Sequence, residues 1–249
     1  MLLGAGGEAA NRLRQLIEAI QGPSERLGTV DAKLLAEPNW LRDPIVGVLT
    51  GRKAVILDWD GTIVDNQSRN YQVVCDALAP YQVTIEQDWY RRHCGLPIYE
   101  LLSRLDGAEQ LPLPEIIEAS RRALLTSTTP DTLRPNTAVI GLAKYANCIG
   151  LRCAIASGAS SVLVNAGIDA LGLRALFHAV VTRDDVAHGK PAPDTFLEAA
   201  SRLGVDPAAC VAVDDARDGI QAARTAGMRV LTIGENLQLA EVPASIGNP

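Results

Sequence analysis

Basic charge is in short supply. Lys and Arg number 23 against 29 Asp and Glu, giving a formal net charge of −6 and a pI of about 5.1. Such a chain offers no attractive field to nucleic acid or to an anionic membrane, so neither is expected as a main partner, while small anions can still bind locally. Cysteine is sparse too. Cys75, Cys94, Cys148, Cys153 and Cys210 are odd in number, scattered, and form no Cys-x-x-Cys pair, which excludes a disulfide framework or a zinc site as the reading and suits a reducing cytosol. No apolar run approaches membrane-spanning length, and the stretch Met1-Leu2-Leu3-Gly4-Ala5-Gly6-Gly7 is too short in its apolar part and too weakly basic for a secretion signal. The expectation is a soluble, cytoplasmic protein.

What the chain does have is apolar material in ordinary globular proportion. Over 249 residues, 47% are hydrophobic and 21% charged, enough for one large domain or for a core with a smaller insertion. Its most informative segment is Val55-Ile56-Leu57-Asp58-Trp59-Asp60-Gly61-Thr62. An apolar, partly β-branched run reads as a buried parallel strand, and the carboxyl end of such a strand is where an open α/β sheet places its ligand crevice. Two carboxylates one residue apart at that point raise each other's pKa. The pair Asp58 and Asp60 therefore implies either a shared proton or a divalent metal.

From residue 53 onward, strand-like runs at Val55–Leu57, Cys153–Ala156, Ala179–Val181, Val211–Val213 and Val230–Ile233 alternate with helical patterns, the signature of a parallel sheet. The first two runs lie nearly a hundred residues apart, far more than one crossover needs (about a dozen residues or more). The sequence between them predicts helices at Arg69–Leu78, Ile85–His93, Ile98–Leu105 and Glu115–Thr126, broken by Leu111-Pro112-Leu113-Pro114. An inserted helical domain accounts for the excess. Further helices are predicted at Ala138–Ala146, at Thr195–Leu203 and from Gly219. Ahead of the sheet, Leu13, Leu16, Ile17 and Ile20 predict an amphipathic helix over 8–21, with a short one around Ala32–Ala36. Residues 1–51 read as an N-terminal extension, either a packing element or a docking and dimerising arm.

Later strand ends each release a polar residue. Ser157-Gly158 follows the second run; a hydroxyl and exposed N–H groups at a helix start can hold phosphate oxygens, although serine there is also an ordinary N-cap. Lys190 sits in His188-Gly189-Lys190-Pro191-Ala192-Pro193-Asp194, where prolines fix the backbone around a cation; the alternative is a solvated loop lysine. Asp214-Asp215 ends the fourth run and repeats the geometry of the Asp58 loop. Two acidic strand ends can share one hard cation, for which Mg²⁺ is suited, while helix N-capping accounts for Asp218.

In this order Asp58-Trp59-Asp60-Gly61-Thr62, Ser157, Lys190 and Asp214-Asp215 resemble all four motifs of the haloacid dehalogenase superfamily, over residues 53 to about 234. The segment Gly189–Asp194 and the helix Gly219–Met228 are similar to the branch of phosphoglycolate phosphatase and β-phosphoglucomutase. The resemblance implies a Rossmann-like α/β core over 52–66 and 135–249, with a helical cap over 67–134. It implies Mg²⁺ held by Asp58, the Asp60 main-chain carbonyl and Asp215, with Asp214 a ligand or a residue just behind the ligands. Asp58 is then the nucleophile and Asp60 the proton carrier, with Trp59, Gly61, Thr62, Ser157, Gly158 and Lys190 around the phosphate. Asn66 and Ala216 stand where this branch often has Ser, and neither is expected to carry the chemistry.

The implied activity is a phosphatase for a small phosphorylated metabolite, a sugar phosphate or a phosphoglycolate-like monoester. A phosphomutase is the alternative. The cap histidine and arginine of β-phosphoglucomutase match Asn70 and Ile98 here, which favours the phosphatase. A noncatalytic binding subunit is a third reading. Arg91, Arg92, His93 and Gly95, before Leu96-Pro97, are the expected specificity residues in the cap loop. His178 precedes a strand and reads as structural.

Overall fold

The computed structural model describes residues 45–233 and 239–242. The two helices expected before residue 45, and any dimerising surface they carry, lie outside the described residues. Among those residues no helix is long and apolar enough to cross a membrane.

Apolar β-branched runs flanked by turns form strands β1 (Ala54–Leu57), β2 (Arg152–Ala156), β3 (Ala179–Val181), β4 (Cys210–Val213) and β5 (Arg229–Ile233). A sixth, β6 (Leu239–Glu241), pairs antiparallel with β5, whereas the other five are mutually parallel. The sheet order is β3-β2-β1-β4-β5-β6. Because β1 has β2 on one side and β4 on the other, the chain's winding reverses there, and the crevice at such a reversal is where an open α/β sheet binds its ligand. Leu57 stands opposite both Ile155 and Val213, so the residues that follow each strand emerge side by side.

Alternation along β1 sorts its side chains between two helical layers. Val55 and Leu57 join the core made with α6 (Thr137–Cys148) and α7 (Ser161–Ala170), through Leu142, Val164 and Ile168. Ala54 and Ile56 face α8 (Asp194–Leu203) and α9 (Arg217–Thr225), against Phe196, Ala199 and Ala222. Helix α1 (Ile45–Leu49) sends Val48 and Leu49 into the first of these layers. The last residues assigned to the extension are thus core, because two adjacent buried aliphatic side chains need a partner surface.

Between β1 and α6 the chain builds a separate apolar cluster from α2 (Gln67–Leu78), α3 (Gln87–His93), α4 (Ile98–Ser103) and α5 (Leu113–Thr126). Val74, Leu78, Tyr90, Leu102 and Ile116 are among its buried members. Two segments connect it to the sheet side by side: Asp65 N–H donates to Arg134 O at 2.8 Å and Asn136 N–H to Ile63 O at 2.8 Å. Helix α5 starts at Leu113, earlier than expected, because Pro114 falls in the first turn, where a missing N–H costs nothing. Helix α2 also starts early, at Gln67, after Asn66. That residue is a favoured capping type, yet it makes no side-chain cap bond. Its amide is engaged elsewhere.

Candidate active site

Asp58 leaves the end of β1 and its N–H donates to Val213 O at 2.9 Å, which fixes it beside Asp214 at the end of β4. Both side chains are buried, and so is Lys190, which is only 3% exposed. The Lys190 ammonium donates to Asp58 Oδ1 at 2.6 Å and to Asp214 Oδ2 at 2.7 Å. Its ammonium stands over the Phe196 ring, 5.0 Å from the centroid, and the Lys190–Pro191 bond that follows is cis. Burial alone would lower the pKa of Lys190, but Asp214 and Asp58 together hold it above the ordinary lysine value.

Asp215 is held differently. Thr62 Oγ1 donates to Asp215 Oδ1 at 3.0 Å. Gly61, at φ +85°, has no room for a side chain, since a Cβ there would sit 2.2 Å from Asp215 Oδ2. Oxygens of Asp58, Asp214 and Asp215 all fall within 4.8 Å of one another. Burial pushes the pKa of Asp58 well above the usual carboxylate range; Lys190 opposes this, and Asp214 and Asp215 add to it. Asp215 is pushed up to about 7, by burial first and then by Asp214. Three clustered carboxylates with one ammonium are short of positive charge, and a divalent cation fits that deficit. The donor set is oxygen only, which suits Mg²⁺. Among the described hydrogen bonds, both Asp214 oxygens are taken, Oδ2 by Lys190 and Oδ1 by Ala216 N–H at 2.9 Å. Among the described residues the second oxygen of Asp58 accepts no hydrogen bond.

Asp60, one residue beyond Trp59, faces a different environment. Its Oδ1 accepts from Asn66 Nδ2 at 2.5 Å and from Asn70 Nδ2 at 3.1 Å. Burial raises its pKa, with Asn66 and Asn70 opposing, so a proton is retained more readily than on an exposed aspartate. Asn66, expected to carry no part of the chemistry, makes the shorter of the two hydrogen bonds to Asp60. Asn70 is likewise more than the site of a missing histidine.

A cavity of about 700 Å³ opens between these strand ends and the helices α2 to α5, lined by Asp58, Trp59, Asp60, Gly158, Lys190 and Asp214 on the sheet side. Ser157 is fully buried and does not line the cavity; its Oγ accepts from Ala159 N–H at 3.0 Å, and the helix it was weighed as capping has Ser160 at its N-cap. Thr62 is also fully buried, its hydroxyl turned to Asp215 and away from the cavity lining. Asp218 lies within the first turn of α9, whose N-cap is Ala216.

Of the four cap-loop residues expected to face the substrate, Gly95 alone lines the cavity. Arg91 pairs with Asp88 at 3.0 Å on the exposed side of α3, and the His93 ring stacks on Trp89; Arg92 is exposed and outside the lining. The helix turns their side chains outward while the loop that follows turns inward. A Cβ on Gly95 would lie 3.1 Å from Ala216 Cβ, so the small residue at 216 lets this loop close against the sheet.

Gly219 escaped the sequence reading. A Cβ at this position in α9 would lie 1.9 Å from Asp214 Oδ2, so the helix can approach Asp214 only through glycine. The Gly219→Ala substitution is expected to displace Asp214 from Lys190, lower unfolding free energy by roughly 1–3 kcal/mol and reduce turnover at least tenfold. Urea melts and initial rates check this; an unchanged rate would show that Asp214 is not needed where it stands.

The profile of the haloacid dehalogenase-like hydrolase family matches residues 52–227. Fructose-1-phosphate phosphatase YqaB of Escherichia coli (strain K12) is 34% identical over 181 residues, spanning 72% of this chain and 95% of that protein. The β-phosphoglucomutase of Bacillus subtilis (strain 168) is 30% identical over 195 residues, 74% of this chain and 84% of that one. In structure, the chain is similar to Rhodobacter sphaeroides CbbY in complex with xylulose-(1,5)bisphosphate, with TM-score 0.63 and 26% identity over 73% of this chain and 85% of that one. With a family profile that spans most of the sheet and all of the inserted helices, this chain belongs to the haloacid dehalogenase-like hydrolases.

Proposed function

We propose that the chain is a Mg²⁺-dependent phosphatase of small phosphate monoesters, sugar phosphates or phosphoglycolate-like compounds, with Asp58 as nucleophile. The observation that carries this reading is the division of labour between two carboxylates one residue apart. Asp58 lies against Lys190 and Asp214, while Asp60 accepts from two neutral amides and burial raises its pKa. In the first step an Asp58 oxygen bonds to phosphorus as the ester P–O bond breaks, and Asp60 gives its proton to the departing alcohol. In the second, Asp60 takes a proton from water, the water oxygen displaces Asp58 from phosphorus, and phosphate leaves. Lys190 balances charge on the nucleophile and on the phosphoryl oxygens.

Asp58, Asp215 and the Asp60 main-chain carbonyl would hold the cation, with Asp214 behind them as the partner of Lys190. When bound, Mg²⁺ supplies the positive charge that lets a dianionic phosphate approach three carboxylates. The segment 67–134 acts as a cap over the core formed by 52–66 and 135–249, excluding water around the first transfer. Removing the metal with EDTA is expected to bring phosphate release to background and excess Mg²⁺ to restore it; Asp215→Asn is expected to need at least tenfold more Mg²⁺ for half-maximal rate. Undiminished release in EDTA would contradict the metal assignment.

The identity to a β-phosphoglucomutase makes transfer to a second sugar hydroxyl the reading to separate. Asn70 donates to Asp60 through an amide, which cannot shuttle a proton, and Ile98 offers no charge to a sugar phosphate. With β-glucose 1-phosphate, free phosphate is the expected product. Glucose 6-phosphate with little free phosphate would favour the mutase.

A further inference from the structure

Four cations from the described residues line the cavity, and three of them are committed. Lys190 is held by Asp58 and Asp214, Arg121 by Glu118 at 2.6 Å, and Arg183 gives one terminal nitrogen each to the carbonyls of Val186 and Ala187. Arg69 differs. Its Nη2 donates to Leu124 O, Ser127 Oγ and Thr128 Oγ1 at the carboxyl end of α5. Its Nε is buried without a partner, and among the described residues its Nη1 makes no hydrogen bond and Arg69 forms no salt bridge, the Asp60 carboxylate acting on it only at longer range. The guanidinium is always charged. One edge is anchored by neutral oxygens, and one terminal nitrogen is left to the cavity.

Its position relative to the chemistry follows from the helix. Asn66, Gln67 and Asn70 all reach Asp60 from the start of α2: Gln67 Nε2 donates to Asp60 O at 3.4 Å, and the two asparagines reach the carboxylate. Arg69 stands in the same turn, three residues after Asn66 and one before Asn70. Asp60 is the residue that protonates the departing alcohol, so Arg69 flanks the departing part of the substrate. Anchoring α5 alone would explain Nη2, but it leaves unexplained a buried unpaired Nε and an open Nη1 in a cavity wall.

We propose that Arg69 is a specificity-determining residue that binds a second anionic group, a carboxylate or a phosphate, on the departing alcohol close to the ester oxygen. The inference rests on the phosphatase reading above. It also places the substrate-facing arginine on α2, where the outward-turned Arg91 and Arg92 cannot serve.

The test uses the full chain with Mg²⁺ and three matched esters: 2-hydroxyethyl phosphate, 2-phosphoglycolate and ethane-1,2-diyl bisphosphate. The wild type is expected to favour at least one of the anionic esters over the hydroxyethyl ester by about 10- to 100-fold in kcat/KM, mainly through KM, the size of a charge-assisted hydrogen bond. Which ester is favoured separates carboxylate from phosphate. Arg69→Met is expected to abolish that preference, so that kcat/KM on the favoured anionic ester falls at least tenfold further than on the hydroxyethyl ester. Ser127→Ala, which loosens the anchor but keeps the charge, is expected to retain it, and so is Arg69→Lys, which keeps the inference testable if the Met variant does not fold. Hydrolysis of all three esters by the wild type without preference, or an equal loss on all three in Arg69→Met, overturns the inference and leaves the phosphatase reading standing. Phosphate release from none of the three or from any other monoester overturns both.

Discussion

Asp58→Asn is expected to lower kcat by about 10⁴ or more, on the scale of removing a nucleophile from a site that acts as a unit, while the protein stays folded. The amide oxygen can still accept from Lys190, so the geometry at the end of β1 is kept. What is lost, on the proposed mechanism, is the negative charge and lone pair that attack phosphorus. Residual binding of substrate and Mg²⁺ is expected in this variant, because Lys190, Asp214 and Asp215 remain. Initial rates alongside a urea melt separate lost chemistry from lost fold. A folded variant with rates near wild type would remove Asp58 from the mechanism.

Lys190→Ala is expected to damage both stability and catalysis. The ammonium is buried between two buried carboxylates, and deleting it leaves Asp58 and Asp214 facing each other across the end of the sheet. Removing one partner of a buried ion pair costs about 3–5 kcal/mol. Here Mg²⁺ should recover part of the loss, because it supplies charge to the same cluster. Catalysis is expected to fall by about 10²–10³, as when a preorganised donor to developing charge is deleted, and Mg²⁺ should not restore it. Urea midpoints with and without Mg²⁺, together with initial rates, check both parts. Full recovery of rate by Mg²⁺ would mean that Lys190 serves the fold and not the reaction.

The five parallel strands were legible because each is a short apolar run whose end breaks into polar residues, and the long gap after β1 announced inserted helices. The strand-end motifs were legible for the same reason: Asp58 and Asp214 follow strands whose register then sets them side by side. β6 was not, since Leu239-Ala240-Glu241 carries no β-branched residue and is a strand only because β5 offers an open edge. Asn66 stands in the sequence only as a departure from the branch's Ser, and only the folded chain turns its amide to Asp60. Gly219 looks like any glycine in a helical stretch until Asp214 is set against it. The family resemblance puts Arg91, Arg92 and His93 with Gly95 in the loop that faces the substrate. The helix they end rotates them away from the cavity, and Arg69 lines it from another helix. In each case the chemistry of the residue type was readable and its direction was not.

On the proposed mechanism phosphate passes through a covalent bond to Asp58. Rapid acid quench of the enzyme turning over a phosphate monoester, followed by intact-mass analysis and peptide mapping, tests it most directly. A mass increase of one phosphoryl group is expected on the peptide containing Asp58, absent in Asp58→Asn and discharged by hydroxylamine. A label-free Asp58 peptide under steady turnover, with phosphate release continuing and trapping shown to be faster than hydrolysis, would contradict it.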